Sequence, residues 1–273
     1  MASVNFAQNF YFYFFSKKLL PLYVMTPSIF PNDAWQSIWR LSHSEPGVCT
    51  NLPAFSLSIV PFPRACKKDS IADLMFLVDE AVGTTENLGL LQNFLKNITS
   101  SMDVQNNCLR LGLMSYSDRV KTFSLLNSST TLSEFQEQIQ KLSLGAGKSN
   151  AGVALDQMRR EGFSASHGSR RAQGVPQIAV LVTNRPSDDN VREVALDLRL
   201  QDVTVLSVGI EGANKTQLEE IVSYPPGQTI SMLESYADLH NYSKKFLKKL
   251  QNEIWSQIST QAEQVELDKT GMF

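Results

Sequence analysis

Histidine and cysteine are scarce in this chain, three of each in 273 residues. His43, His167 and His240 form no HExxH pair, and neither Ser149 nor Ser164 stands in a G-x-S-x-G turn. Hydrolytic chemistry therefore has no footing in the sequence. His167 reads as a solvated loop residue beside Gly168, and His240 as a surface residue of the last helix. Cys49, Cys66 and Cys108 are too few for a disulfide scaffold and lack the CxxC spacing of a metal site; whether Cys66 and Cys108 pair is left open. Long apolar runs are missing too. Phe10–Phe15, Leu74–Val78 and Ile178–Val182 fall far below the roughly 20 residues that cross a bilayer. Nor is there an excess of one charge: 25 basic against 27 acidic side chains give a formal net charge of -2. That balance argues against a nucleic-acid binder, which needs a basic face to neutralise phosphates.

What is present is unevenly spread. Residues 1–66 hold seven of the 11 prolines, including Pro21 and Pro31, but one glycine, Gly47, and six charged side chains. Aromatics crowd the same stretch, as in Phe10-Tyr-Phe-Tyr-Phe-Phe15. A secretory signal would place its positive charge ahead of a single apolar block. Instead, Lys17-Lys18 divides Phe10–Phe15 from Leu19–Met25, with no basic residue before them. The expectation is an irregular or disordered leader with no recognised fold. Four N-x-[ST] sequons, at Asn97, Asn127, Asn214 and Asn241, are candidate glycosylation sites and a mild pointer to the secretory route.

Regular periodicity starts near residue 71. Ile71–Asp79 is a short apolar run bounded by charge, the pattern of a strand buried on both faces. Leu88, Leu91, Phe94, Leu95 and Ile98 recur at spacings of three and four, predicting a helix capped by Thr84 or Thr85. Cys108–Tyr116 and Val120–Leu125, joined through Ser117, Asp118 and Arg119, predict a hairpin with one antiparallel edge. Further helices are marked by Phe135, Ile139 and Leu142, by Val153, Leu155 and Met158, and by Val191, Val194, Ala195 and Leu198. Strands are expected at Gln177–Thr183, Val203–Gly209 and near Gln228–Met232, with a helix at Gln217–Val222 and a long one from about Ser235. Strands separated by such helices require parallel crossovers and a doubly wound α/β sheet. Ligands of such sheets sit beyond the carboxyl ends of the strands, here after Val78 and Val182.

Two local patterns have duller readings than they invite. Gly145-Ala-Gly-Lys-Ser149 imitates the end of a phosphate-binding loop, but Leu142 stands where the first glycine belongs and a helix, not a strand, leads in. The last helix sets Lys244, Lys245, Lys248 and Lys249 against Leu239, Phe246, Leu250 and Ile254. Such a helix can lie on an anionic membrane, but the favoured reading is a sheet cover with its lysines in water.

Five separated segments together carry a family likeness: Ala72–Asp79, Leu111–Asp118, Gly147–Leu155, Ala179–Asn184 and Val205–Ile210. In order and spacing they resemble a von Willebrand factor type A (VWA) domain. With Ile210–Val222, they are most similar to the N-terminal VWA repeats of collagen type VI alpha chains of the alpha-4, alpha-5 and alpha-6 kind. The resemblance divides the chain into a leader (1–66), a VWA domain (70–252) and a C-terminal tail (253–273). It implies a Rossmann-like, mostly parallel six-stranded sheet with one antiparallel edge strand, used for adhesion rather than catalysis.

Many VWA domains hold Mg²⁺ at a metal-ion-dependent adhesion site (MIDAS), with hard oxygen ligands from three loops. Carried onto this chain, the positions are Asp79, Ala81, Gly83, Ser149 and Asn184: two hydroxyls and one of two carboxylates are gone. An ion facing one negative charge instead of two loses several kcal/mol on an order-of-magnitude estimate. The resemblance thus implies a non-enzymatic, metal-independent protein-interaction module of the extracellular matrix, with weak or lost Mg²⁺ binding and matrix proteins as partners. The bland reading of Asp79 is that its carboxylate accepts amides at the start of the next helix. A cytoplasmic VWA-type binding module and the product of an eroded coding sequence with little function are the alternatives. No G-x-y repeat occurs, so this chain forms no collagen triple helix itself.

Overall fold

The computed structural model describes Cys66 and residues 71–270, apart from 103, 105, 106 and 130, with side chains through residue 260. Apart from Cys66, the leader expected over 1–66 lies outside these described residues.

Six strands make one sheet: β1 (Ala72–Asp79), β2 (Leu109–Tyr116), β3 (Val120–Ser124), β4 (Gln177–Thr183), β5 (Val203–Ile210) and β6 (Ile230–Leu233). Their order is β3-β2-β1-β4-β5-β6. Every neighbouring pair is parallel except β2 with β3, the expected hairpin. Around the sheet lie α1 (Thr85–Thr99), α2 (Leu132–Gln140), α3 (Ala151–Gln157), α4 (Arg192–Leu200), α5 (Lys215–Ile221) and α6 (Asp238–Thr270). The doubly wound, mostly parallel sheet with one antiparallel edge is the fold the sequence implied.

Helices on both faces explain why β1 and β4 read as unbroken apolar runs. Leu74, Phe76 and Val78 enter a core with Leu91, Phe94, Phe135 and Phe246, from α1, α2 and α6. Met75 and Leu77 point the other way, to Leu155, Leu198 and Leu218 of α3, α4 and α5. Burying each such side chain contributes about 1.5–3 kcal/mol. Close approach needs one glycine in particular. A Cβ on Gly112 of β2 would collide with the Met75 sulfur, so glycine makes the room in which Met75 packs.

The basic helix α6 covers the sheet. Leu239, Phe246, Leu250 and Ile254 are buried, with the Phe246 and Phe94 rings 5.7 Å apart, while Lys244, Lys245 and Lys248 are exposed. It runs past residue 252, where a tail was expected to begin, and carries Ile254 into the core. On α3 the apolar stripe differs from expectation, because Val153 is 56% exposed. Ala151, Ala154, Leu155 and Met158, at i, i+3, i+4 and i+7, form the inner face, and Val153 lies off it.

At the amino ends of the strands a buried ion pair locks the fold. Asp73 and Arg170 are 0% and 7% exposed. Arg170 Nε donates to Asp73 Oδ1 at 2.8 Å, and its other nitrogens reach the carbonyls of Ala72, Asn107 and Cys108. Gln177 Nε2 bonds the second Asp73 oxygen at 2.8 Å. Close by, Cys66 and Cys108 form a disulfide with Cα atoms 5.6 Å apart. The chain pairs β1 with β2 on one side and β4 on the other, so strand order reverses between β1 and β4. Their carboxyl ends, Asp79 and Thr183, mark the place where such sheets bind ligands.

Candidate functional site

Three loops meet beyond those two strands: 80–84 after β1, 145–150 before α3, and 184–190 after β4. Asp79, 2% exposed, is the centre. Its Oδ1 accepts the Ala81 amide at 2.9 Å. Its Oδ2 accepts the Ser149 hydroxyl at 2.8 Å and the Thr183 hydroxyl at 3.3 Å, and lies 3.5 Å from Arg185 Nε. Unit charges at that distance attract by about 5 kcal/mol at an effective dielectric of 20, before desolvation is counted. The bland reading of Asp79 holds only in part: Ala81 precedes α1, and the helix itself is capped by the Thr84 hydroxyl.

Of the positions named by the resemblance, Ser149 bonds Asp79 directly and Asn184 bonds the Ala81 backbone beside it. Ala81 and Gly83 bring no side-chain oxygen. Asn184 turns its Nδ2 to the Ala81 carbonyl at 2.7 Å, and its Oδ1 is buried with no partner. One carboxylate already shared among two hydroxyls and a guanidinium does not fit a divalent ion that wants several free oxygens. Among the described residues, no cluster of three or more His, Cys, Asp or Glu gathers elsewhere to hold a metal.

Sequence reasoning missed Thr183 and Arg185, although both flank Asn184. Arg185 is the more consequential. Its side chain is 31% exposed, but Nε and Nη2 are buried and hydrogen-bond to nothing. Tyr116, at the end of β2, has a buried hydroxyl with no partner at full hydrogen-bond geometry, close enough to the Thr183 and Ser149 hydroxyls to feel both. Burial, then the Asp79 charge, push its pKa upward, as they do for Tyr236, so both phenols stay neutral.

The loops are held by paired acids rather than left mobile. Glu80, 3% exposed, accepts Ser115 Oγ at 2.6 Å and Lys121 Nζ at 2.9 Å. Asp188 accepts the Ser149 amide at 2.7 Å. Asp189 accepts the Gly152 and Val153 amides at 2.8 and 2.7 Å, capping α3, whose own Asn150 makes no side-chain cap. The phosphate-loop imitation is likewise turned inward. Gly147 sits at φ +98 against the Asp118 carboxylate, which takes the Lys148 amide at 2.6 Å.

Other candidates lie elsewhere. His167 Nδ1 meets Ser164 Oγ at 2.9 Å and the Glu161 carbonyl at 3.0 Å. Those bonds lock a turn beside Arg170, at the opposite pole, and His167 is half-buried rather than solvated. His240 is exposed on α6, as expected. Asn97, Asn127, Asn214 and Asn241 are all exposed. Asn214 also caps α5, accepting the Gln217 amide at 3.2 Å, and Asn127 Nδ2 is bonded to the Ser166 carbonyl at 3.3 Å. No helix among the described residues is long and apolar enough to cross a membrane.

A doubly wound, mostly parallel sheet with one antiparallel edge, helices on both faces and an aspartate at its switch point defines a VWA-type module. Residues 73–245 match the von Willebrand factor type A domain, and the chain belongs to that family. It is similar to the human collagen alpha-5(VI) chain, 72% identical over 212 residues covering 78% of this chain and 8% of the relative. The human collagen alpha-6(VI) chain is 45% identical over 211 residues, covering 77% and 9%. Mouse matrilin-1 is 30% identical over 198 residues, covering 70% and 39%. The chain thus spans less than a tenth of the collagen chains it matches. Among solved structures, proximal thread matrix protein 1 from the mussel byssus, with a zinc-occupied MIDAS motif, superposes with a TM-score of 0.62. It is 25% identical, covering 66% of this chain and 48% of that one. Manganese-loaded Plasmodium vivax TRAP protein shares the fold at a TM-score of 0.53 and 18% identity, covering 66% and 74%.

Proposed function

We propose that this chain is a non-enzymatic protein-interaction module of the extracellular matrix that engages matrix proteins without a divalent ion. The observation that carries the metal-independent part is the occupancy of Asp79 by Ser149, Thr183 and the Arg185 guanidinium. Matrix setting and protein partners are supported by the similarity to collagen VI and matrilin chains. The Cys66–Cys108 disulfide favours an oxidising compartment over the cytoplasmic alternative, since cytosolic thiols are kept reduced. Glycans on the exposed sequon asparagines belong to the same reading, and the near-zero net charge supports partners other than nucleic acid. A filled two-sided core and satisfied loop acids speak for a folding domain rather than an eroded product.

Isothermal titration with millimolar Mg²⁺ or Mn²⁺ tests the metal claim. Wild-type protein is expected to give no saturable heat, and binding that Asp79→Ala abolishes would overturn it. The setting is tested on the protein from cultured cells: a glycosidase-sensitive product in the matrix fraction is expected, and a soluble, unglycosylated one refutes secretion.

A further inference from the structure

The ligand end of the sheet holds an arginine with donors left over. Arg185 leaves β4 two residues after Thr183, and its Nε stands 3.5 Å from the buried Asp79 carboxylate without hydrogen-bonding it. Nη2 is also buried and unbonded. Nη1 has no protein acceptor either, and it is not one of the buried nitrogens. Buried guanidinium donors are ordinarily satisfied. Arg170, on the same fold, shows what satisfaction looks like, with an acceptor for each of its three side-chain nitrogens. Beside Arg185 the Asn184 Oδ1 is a buried acceptor without a donor.

We propose that Arg185 is the resident cation of this site, balancing Asp79 where a divalent ion would otherwise sit, and that its guanidinium is the contact point for a carboxylate on a protein partner. The inference rests on the reading of the chain as an interaction module. A carboxylate is the matching ligand because the planar guanidinium fork pairs with it through charge-assisted, often bidentate, hydrogen bonds. The surroundings select for a single negative charge. Asp79 stands 3.5 Å from Arg185 and balances its charge, so the site presents one guanidinium and not a basic patch. A sulfated polysaccharide, which needs a broad basic patch, finds none at this site.

The probe is acetate, titrated into uniformly ¹⁵N-labelled full chain at constant ionic strength and with EDTA present, following the arginine Nε–H resonances. The Arg185 signal is assigned by its loss in Arg185→Lys. It is expected to shift saturably, at lower acetate concentration than the exposed Arg192. A parallel response of the two, no response of Arg185, or an equal response to sulfate overturns the carboxylate site. A second measurement addresses the resident charge. Arg185→Gln is expected to give a saturable Mn²⁺ heat that wild type does not, since the competing cation is gone. The same heat from the two refutes the substitution of arginine for the ion. Failure of the wider reading looks different: a titrating Arg185 in a chain that matrix does not retain leaves the site standing and removes the adhesive role. Retention unchanged by Arg185→Gln does the reverse.

Discussion

Arg170→Met is the most informative perturbation of the scaffold. It strips the buried Asp73 carboxylate of its Nε donor at 2.8 Å and frees the carbonyls of Ala72, Asn107 and Cys108. Asp73 keeps the Gln177 side-chain amide at 2.8 Å and the backbone amide of residue 170 at 2.5 Å, but neither donor carries a charge. Breaking one partner out of a buried pair costs about 3–5 kcal/mol, because a desolvated charge is left unmatched. In a domain of this size, about 2–4 °C per kcal/mol translates this into a fall of roughly 6–20 °C in Tm. Urea denaturation with far-UV circular dichroism gives the free energy directly. The control is Asp73→Leu with Arg170→Met, which removes both charges and is expected to be less destabilised than Arg170→Met alone, despite carrying two changes. If the single variant lies within about 1 kcal/mol of wild type, or if the double variant is no better, unmatched charge is the wrong account of this network.

Three further outcomes follow from other parts of the fold. Replacing Cys66 and Cys108 by serine opens a loop of sequence separation 42 and is expected to lower stability by about 4 kcal/mol on the chain-entropy estimate; a loss below about 1 kcal/mol in urea refutes that. Asp189→Ala, which uncaps α3, is expected to cost about 1–2 kcal/mol, with Asp189→Asn recovering part of it, both read from thermal midpoints. Lys249 donates to the Ile230 carbonyl at 3.1 Å and the Ser231 hydroxyl at 3.0 Å, and burial, then Lys245, push its pKa from 10.5 down to about 8. Between those values the unfolded chain binds a proton that the folded chain does not, so this group makes stability rise with pH. The stability difference between wild type and Lys249→Met is therefore expected to be flat below about pH 8 and to move in favour of wild type above it, and a constant difference refutes the shift.

What the sequence disclosed depended on how local the physics was. β1, β4 and α6 were legible because their burial writes a pattern into consecutive residues: both faces covered for the strands, one apolar stripe for the helix. Val153 was misread because three apolar residues fit a loose stripe, and only packing shows that the small Ala151 and Ala154 take the inner face. Asp73 and Arg170 stand 97 positions apart, and nothing in either neighbourhood announces the other. Asp79, Ser149 and Asn184 were found because a family pattern names their positions, and that pattern stops at Asn184. Arg185, one residue on, became visible only when the fold laid it 3.5 Å from a carboxylate 106 positions earlier.

The two ends of β1 state the difference between structure and function in the same chemical terms. Asp73 and Asp79 lie on one strand, six residues apart, each buried and each matched by an arginine from a distant loop. Burying a carboxylate demands a partner, so both arginines answer the same requirement. They answer it unequally. Arg170 is 9% exposed in its side chain and spends every nitrogen on the protein, which leaves it nothing to offer a ligand. Arg185 is 31% exposed, satisfies the charge of Asp79 but none of its own donors, and sits at the switch point of the sheet. A saturated pair tightens a fold; a pair with unspent donors at the ligand end is poised to take an acceptor from outside. That asymmetry assigns the amino end of β1 to stability and its carboxyl end to recognition.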